Sequence, residues 1–292
     1  MRRSPLGPLL AVRAAIALAI ITSAPLLLAQ GECTAPKKSN VARMLGWFAS
    51  PLTFSQLGAL ERLPAGAIRV GGDLTYVPTP SASLTHTDVC YSSKSEHTGL
   101  ASVFPRPRLI MGLGRGWSAE AMYLPPVTVA QATPNMGSVA VAWVGENARA
   151  LMGAHLTVRA HATFGSVKGP ITCPRSAIQQ TSATSVCWAS KPSEDTYSPN
   201  VLGVEAGFAA TRSRIAWYGG VGYALLMPRF RVGYTALNGT LDNTLVKVDL
   251  TRINAFAGLA YRVTRAVELS AQLYSVPDDA TTGRAGFTWR LR

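Results

Sequence analysis

The last forty residues of the chain fix its backbone before any other feature does. Between Ile253 and Leu291 lie three runs in which apolar and polar residues alternate. In the first, Ile253, Ala255, Ala257, Leu259, Tyr261 and Val263 share one parity, and Arg252, Asn254, Gly258 and Arg262 share the other. The second sets Val267, Leu269, Ala271 and Leu273 against Glu268, Ser270 and Gln272. The third sets Ala285, Phe287, Trp289 and Leu291 against Arg284, Gly286, Thr288 and Arg290. A period of two is that of a β-strand with a different solvent on each face. In a soluble protein the apolar face would be the hidden one; in a transmembrane barrel it is the face shown to lipid. Alternation alone does not separate the two.

The same pattern recurs upstream. It predicts about ten strands, near 66–77, 106–113, 116–124, 137–144, 151–164, 201–211, 214–226, 250–263, 266–275 and 283–291. The clearest single strand sets Met152, Ala154, Leu156, Val158, Ala160, Ala162 and Phe164 against His155, Thr157, Arg159, His161 and Thr163. Connections alternate in length, with tight turns at 114–116, 145–150, 211–213 and 264–265 and longer loops between them. A sandwich has no reason to sort turn lengths by end, whereas outer-membrane barrels have short periplasmic turns and long external loops. Asn238-Gly239 is a strong hairpin turn, here expected to cap a projection above the membrane. An even number of strands returns both ends of the barrel to one side, and ten is the reading, with twelve or eight as alternatives.

The N-terminus points to export. Arg2, Arg3 and Arg13 precede an apolar run, Ala14 to Ile21, that is interrupted at Pro25 and closed by small residues. This is the form of a secretory signal peptide, residues 1–31, cleaved after Ala29 or Gly31. No later segment has the roughly 20 apolar residues of a membrane-spanning helix, so a membrane-embedded mature chain must cross as strands. Residues 32–65 break the alternation. They read as an N-terminal periplasmic arm or partial plug, with a short helix from Ser55-Gln56 to Glu61-Arg62 ended by Pro64. The barrel then occupies 66–292.

Three further features favour lipid over a soluble core. Charged residues are only 15% of the chain, against about 25% in soluble domains. Aromatics (Tyr76, Trp117, Tyr123, Trp143, Phe164, Phe208, Trp217 and Tyr261) fall near strand ends, where interfacial girdles belong. Many apolar-face positions are Ala or Gly, which would fill a soluble core badly. The net charge of +13 does not imply nucleic acid, because the cations are scattered singly along strands.

The segment Arg284-Ala285-Gly286-Phe287-Thr288-Trp289-Arg290-Leu291 resembles the C-terminal β-signal of bacterial outer-membrane proteins, in which Gly286, Phe287, Trp289 and Leu291 take the pattern positions. Most such signals end on an aromatic residue, and here Leu291 and Arg292 stand last. The chain thus resembles small Gram-negative barrels of the OmpA and OmpW type. That likeness implies an all-β, antiparallel up-and-down transmembrane barrel in the cell outer membrane. It also implies contact with membrane lipid and lipopolysaccharide, and delivery by the barrel-assembly machinery. A monomer without cofactor is expected.

Inward-facing charges are expected at Arg69, Asp73, Arg108, Glu120, Arg159, Glu205, Arg252, Arg262, Glu268, Arg284 and Arg290, with His155 and His161 beside them. Arginines and acids on neighbouring strands suggest an electrostatic lattice filling a narrow lumen, since buried charges need partners; an open version would be porin-like and favour anions. The histidines, with Glu120 or Ser118, hint at an enzyme, but no nucleophile motif or metal-ligand spacing accompanies them, so neither catalytic residues nor a metal site is assigned. The glycines of Gly112-Leu113-Gly114-Arg115-Gly116 belong to a hairpin, not a phosphate loop. Of the four cysteines, Cys173 and Cys187 are the expected disulfide, with Cys90 able to join either. A Cys33–Cys90 bond would require the N-terminal arm to reach the opposite end through the lumen. The leading expectation is a structural barrel or a narrow channel for small polar or anionic solutes. The alternatives are an enzyme with a lumen or rim site and a surface adhesin acting through the long loops.

Overall fold

The computed structural model describes residues 31–87, 89–90, 94–95, 103–129, 131–146 and 154–291. The expected signal peptide and Met152 therefore lie outside the described residues, apart from Gly31. Fourteen strands form one sheet: β1 (Glu32–Thr34), β2 (Ile68–Tyr76), β3 (Val103–Gly114), β4 (Trp117–Leu124), β5 (Thr133–Val144), β6 (His155–Gly169), β7 (Asp195–Ser198), β8 (Val201–Arg212), β9 (Ile215–Leu226), β10 (Arg229–Arg231), β11 (Leu245–Lys247), β12 (Leu250–Arg262), β13 (Val267–Ser275) and β14 (Thr281–Arg290). Ten of them, β2-β3-β4-β5-β6-β8-β9-β12-β13-β14, pair antiparallel in that order, and β14 returns to β2 through the register Gly283↔Tyr76 to Arg290↔Arg69. Closure leaves the barrel no edge, so the ladder satisfies the wall's backbone without water.

The exterior is that of a lipid-facing wall. Ile253 (68% exposed), Leu273 (64%) and Val221 (59%) point outward, while Arg106 and Arg159 on the inner face are each 1% exposed. The outward tryptophans Trp117, Trp143, Trp217 and Trp289 lie at the short-turn end of their strands. Tyr76, Tyr123, Phe164 and Tyr223 lie at the long-loop end. Two aromatic girdles therefore bracket the apolar belt. The turn after β3 has both Arg115 (φ 54) and Gly116 (φ 87) in the left-handed region, as the two-residue hairpin turn that matches strand twist requires.

Three strands run well beyond their expected limits, and one of them, β5, starts at Thr133, four residues early. β3 starts at Val103, three residues early, and runs through Pro105 and Pro107. Its ladder to β4 begins only at Leu109, so neither proline leaves a bond unmade on that flank. β6 continues to Gly169, five residues late. Its end leaves the barrel and pairs with β7, starting a cap in which β7, β10, β11 and β1 lie side by side. The Asn238-Gly239 turn projects from the same end between the bridge pairs Tyr234↔Asp242 and Thr235↔Leu241.

Of the two readings of residues 32–65, periplasmic arm or partial plug, the segment takes the second. The arm does not hang from the turn end as a periplasmic extension. β1 pairs parallel with β11 in the cap at the loop end, and Cys33 is bonded to Cys90. The helix is α1 (Asn40–Leu52), capped by Ser39, whose hydroxyl accepts from the Ala42 amide at 3.2 Å. It fills the loop-end mouth. Val41, Leu45, Trp47 and Phe48 are buried with Tyr197, Leu226, Phe230 and Val246 of the wall and cap, at roughly 1.5–3 kcal/mol for each large apolar side chain. Gly46 allows close approach to the loop before β14, because a Cβ there would lie 2.8 Å from an Asp279 carboxylate oxygen. Asp279 also accepts from the Ser50 hydroxyl at 2.7 Å and from two Arg252 nitrogens at 3.0 Å. The helix expected over 55–62 is absent. Residues 53–65 run without helix or strand down the lumen toward β2 at the turn end, and wall side chains take carbonyls that an α-helix would use internally.

Candidate functional site: a plugged lumen

The inward positions of β2, β3, β4, β6 and β8 carry acids and arginines whose ion pairs join into one alternating chain around the wall. Asp73 accepts from Arg106 Nε at 2.8 Å and from Arg108 Nε at 2.7 Å. Arg108 reaches Glu120 at 3.2 Å, Glu120 takes Arg159 at 3.1 Å, and Arg159 reaches Glu205 at 3.4 Å. All of these side chains are buried. In a dry interior such groups persist only when charge and hydrogen-bonding capacity are both met.

The remaining capacity is spent on the plug. Arg106 donates to the Thr53 carbonyl at 3.2 Å, Arg108 to Ser55 at 3.0 Å, and Arg159 to Phe54. Arg284 makes no ion pair among the described residues. It faces the Thr53 carbonyl at 3.4 Å and stacks 4.1 Å from the centre of the Tyr274 ring. The fully buried Phe54 ring lies between Arg108 and Arg159, 4.5 and 4.9 Å from their guanidinium carbons, close enough for cation–π attraction from both sides. Below it, the Gln56 amide donates to Glu205 at 3.1 Å and its carbonyl accepts from Gln272 at 2.6 Å. His155 meets the Leu60 carbonyl at 2.6 Å. At the turn-end mouth Glu61 is held by Arg69 at 2.5 Å, by Arg262, and by Arg290 at 3.6 Å.

The inward charges read from the sequence therefore divide into groups. Arg69, Arg262 and Arg290 clasp Glu61 at the turn-end rim, with Glu268 lining the same cleft. Asp73, Arg108, Glu120, Arg159, Glu205 and Arg284 form the deep lattice. Arg252 stands apart at the loop end on Asp279. His161 is buried 3.9 Å from Glu205, and both carboxylate oxygens of Glu120 are engaged by arginines. Cys173 and Cys187 are bonded to each other. Among the described residues no group of three His, Cys, Asp or Glu side chains could hold a metal ion. Gly286 faces inward, where a Cβ would meet Leu57 of the plug at 2.6 Å, while Phe287, Trp289 and Leu291 are exposed on the outer face.

Sequence reading set Arg106 at the start of an expected strand but did not count it among the inward charges, although it shares the parity of Arg108. It also missed the plug's own contribution, since Phe54 and Gln56 carry no charge. Above the barrel, Asp195 is a buried hub that accepts from the Thr172 amide (2.6 Å), the Ser193 hydroxyl (2.7 Å) and the Gly233 amide (2.8 Å). Tyr197 donates to the Leu45 carbonyl of α1 at 2.9 Å, and burial pushes its phenol well above the ordinary range.

An apolar outside, a charged inside and a closed antiparallel ladder occur together only where lipid is the outer solvent. The fold is that of a transmembrane antiparallel β-barrel of ten strands. Solved structures that align with the chain include Ail, the attachment invasion locus protein of Yersinia pestis. It shows 11% identity and a TM-score of 0.29, over 78% of this chain and 99% of that one. Neisserial surface protein A aligns at 12% identity and a TM-score of 0.29, over 77% and 99%. The translocator domain of the autotransporter NalP from Neisseria meningitidis aligns at 12% and 0.35, over 80% and 91%. No family model matches the sequence. No curated protein matches it either.

Proposed function

We propose that the protein is a sealed, non-enzymatic barrel of the outer membrane, whose lumen is a socket for its own N-terminal segment and whose working surface is the loop-end cap. One observation carries this reading: arginines of the wall donate into the backbone carbonyls of Thr53, Phe54 and Ser55. A solute-conducting lumen needs those donors free for water or ions, whereas here they order a strand of protein. The cap is braced by two disulfides, by the Asp195 hub and by the apolar core around α1. It is thus a rigid platform suited to surface contacts, with the loop end facing outward as barrel convention places it. The exposed Phe287, Trp289 and Leu291 on the final strand fit presentation to the barrel-assembly machinery, and the chain is taken to act as a monomer after loss of its signal peptide.

Single-channel recording of the oxidised native protein in planar bilayers tests the seal. The reading predicts a quiet baseline at all moderate voltages. Reproducible conductance steps from the intact, disulfide-bonded protein would show a transport path and overturn it.

A further inference from the structure

Arginines are concentrated at the short-turn rim, and half of the eight there are not used in ion pairs among the described residues. Arg62 is matched by Glu146 at 3.0 Å, and Arg69, Arg262 and Arg290 share Glu61. Arg115, Arg212, Arg214 and Arg265 are exposed and make no ion pair among the described residues. They sit at the ends of strands close to the outward tryptophans: Arg115 two residues before Trp117, Arg214 three before Trp217, and Arg265 two before Val267, which pairs with Trp289. At roughly 3.3 Å per residue along a tilted strand, this spacing puts the guanidinium groups about 5–10 Å beyond the indole girdle. That is the depth of lipid phosphates. Between the β12–β13 turn and β14 a cleft of about 400 Å³ opens, lined by Arg69, Arg262, Arg265, Arg290, Glu61 and Glu268. It is large enough for a phosphate and its glycerol substituents.

We infer that this collar binds anionic phospholipid headgroups of the leaflet that faces the short turns, with the cleft seating one phosphodiester. The chemistry is that of planar guanidinium forks, which meet phosphate oxygens in pairs. Of the rim acids, Glu146 is engaged by Arg62 and Glu61 by three arginines, and Glu268 in the cleft is a single carboxylate against the four exposed arginines. The exposed arginines are therefore left with a net field that favours a negative headgroup over a zwitterionic one. This inference rests on the chain's spanning a bilayer, and not on the lumen being sealed.

The test is native mass spectrometry of the detergent-purified protein, with phosphatidylglycerol and phosphatidylcholine of the same acyl chains supplied at equal concentration. The expected result is preferential retention of phosphatidylglycerol, lost by at least tenfold in the R115Q/R212Q/R214Q/R265Q variant. About fivefold per arginine is usual for cations at an anionic surface. Heat-modifiable migration on gels establishes that the variant is folded; if it is not, R212Q/R214Q alone is expected to lose part of the selectivity. Equal retention of the two lipids by the native protein overturns the inference, as does unchanged selectivity in a folded variant. Displacement of the lipid by inorganic phosphate at matching concentration also overturns it, because the site would then be one for free phosphate. A protein that stays soluble without detergent removes the bilayer reading itself, an outcome separable from loss of selectivity in a detergent-dependent barrel.

Discussion

Replacing Asp73 with Asn keeps the shape of the side chain and removes its charge, and so asks whether the lumen is dry. The Asp73 carboxylate is the first acid of the wall lattice and serves both Arg106 and Arg108, at 2.8 and 2.7 Å, with both arginines at most 5% exposed. If residues 53–65 exclude water, the substitution strands the buried Arg106 cation and leaves Arg108 with Glu120 as its one remaining acid. Losing one member of a buried pair costs about 3–5 kcal/mol. If the lumen were a hydrated pore, solvent would screen the same pairs and each would be worth about 1 kcal/mol or less. The assay is urea unfolding of the folded barrel in lipid vesicles, followed by tryptophan fluorescence. At a slope of roughly 2–3 kcal/mol/M the dry lumen predicts a midpoint lowered by about 1–2 M with the slope unchanged. Adding Arg106→Met to Asp73→Asn is expected to recover part of the loss, because the two changes act on one network. A midpoint shift under about 0.3 M would falsify the dry-lattice reasoning.

Other consequences are smaller in scope. Phe54→Ala removes the buried ring between Arg108 and Arg159 and is expected to cost about 3–5 kcal/mol by the same unfolding assay; a cost under 1 kcal/mol would place the ring outside the packed lumen. Gly112→Val sets a Cβ where 2.2 Å separates it from the Pro64 carbonyl oxygen, so the plug's exit is blocked. Limited proteolysis is expected to cut the 53–65 segment in the variant and to spare it in the native chain, and equal resistance of the two counts against the packing. Reducing Cys33–Cys90, which closes a loop of sequence separation 57, is expected to lower stability by about 4 kcal/mol on the chain-entropy estimate, and an unfolding midpoint indifferent to reductant argues against a tethered arm. Because burial raises the Tyr197 phenol, its contribution is complete below the unfolded value of about 10 and is lost as pH rises toward the folded value. Tyr197→Phe should flatten the alkaline end of the stability curve, and an unchanged alkaline profile contradicts the buried phenol.

The barrel was legible because each wall strand meets two solvents, and a two-residue period records that on every strand. The alternation over 253–263 and 285–291 placed the last strands to within a residue or two. The tight turns were legible for the same reason: Gly114-Arg115-Gly116 and Asn238-Gly239 carry the residues that left-handed backbone tolerates. A plug was one of two readings open for residues 32–65, but its path was not legible. Residues 53–65 meet neither lipid nor water, so nothing in their side chains repeats, and their binding is through main-chain carbonyls that every sequence possesses. Arg284 shows the same limit from the other side. Its parity puts it in the lumen, but that its partners are the carbonyl of Thr53 and the face of Tyr274 depends on which segment fills the space. The cysteines held the one legible hint, since Cys33 could meet Cys90 only if the arm crossed the barrel.

That crossing is the claim on which the sealed lumen depends. The first barrel strand begins at the turn end, at Ile68, whereas Cys33 sits in the loop-end cap. The intervening backbone can pass only through the lumen, because lipid would leave its carbonyls and amides without partners. Disulfide mapping of the folded, unreduced protein by peptide mass analysis decides the matter. A peptide pair joining Cys33 to Cys90, with Cys173 joined to Cys187, is the predicted result. Cys33 recovered as a free thiol, or joined to any other cysteine, would contradict it.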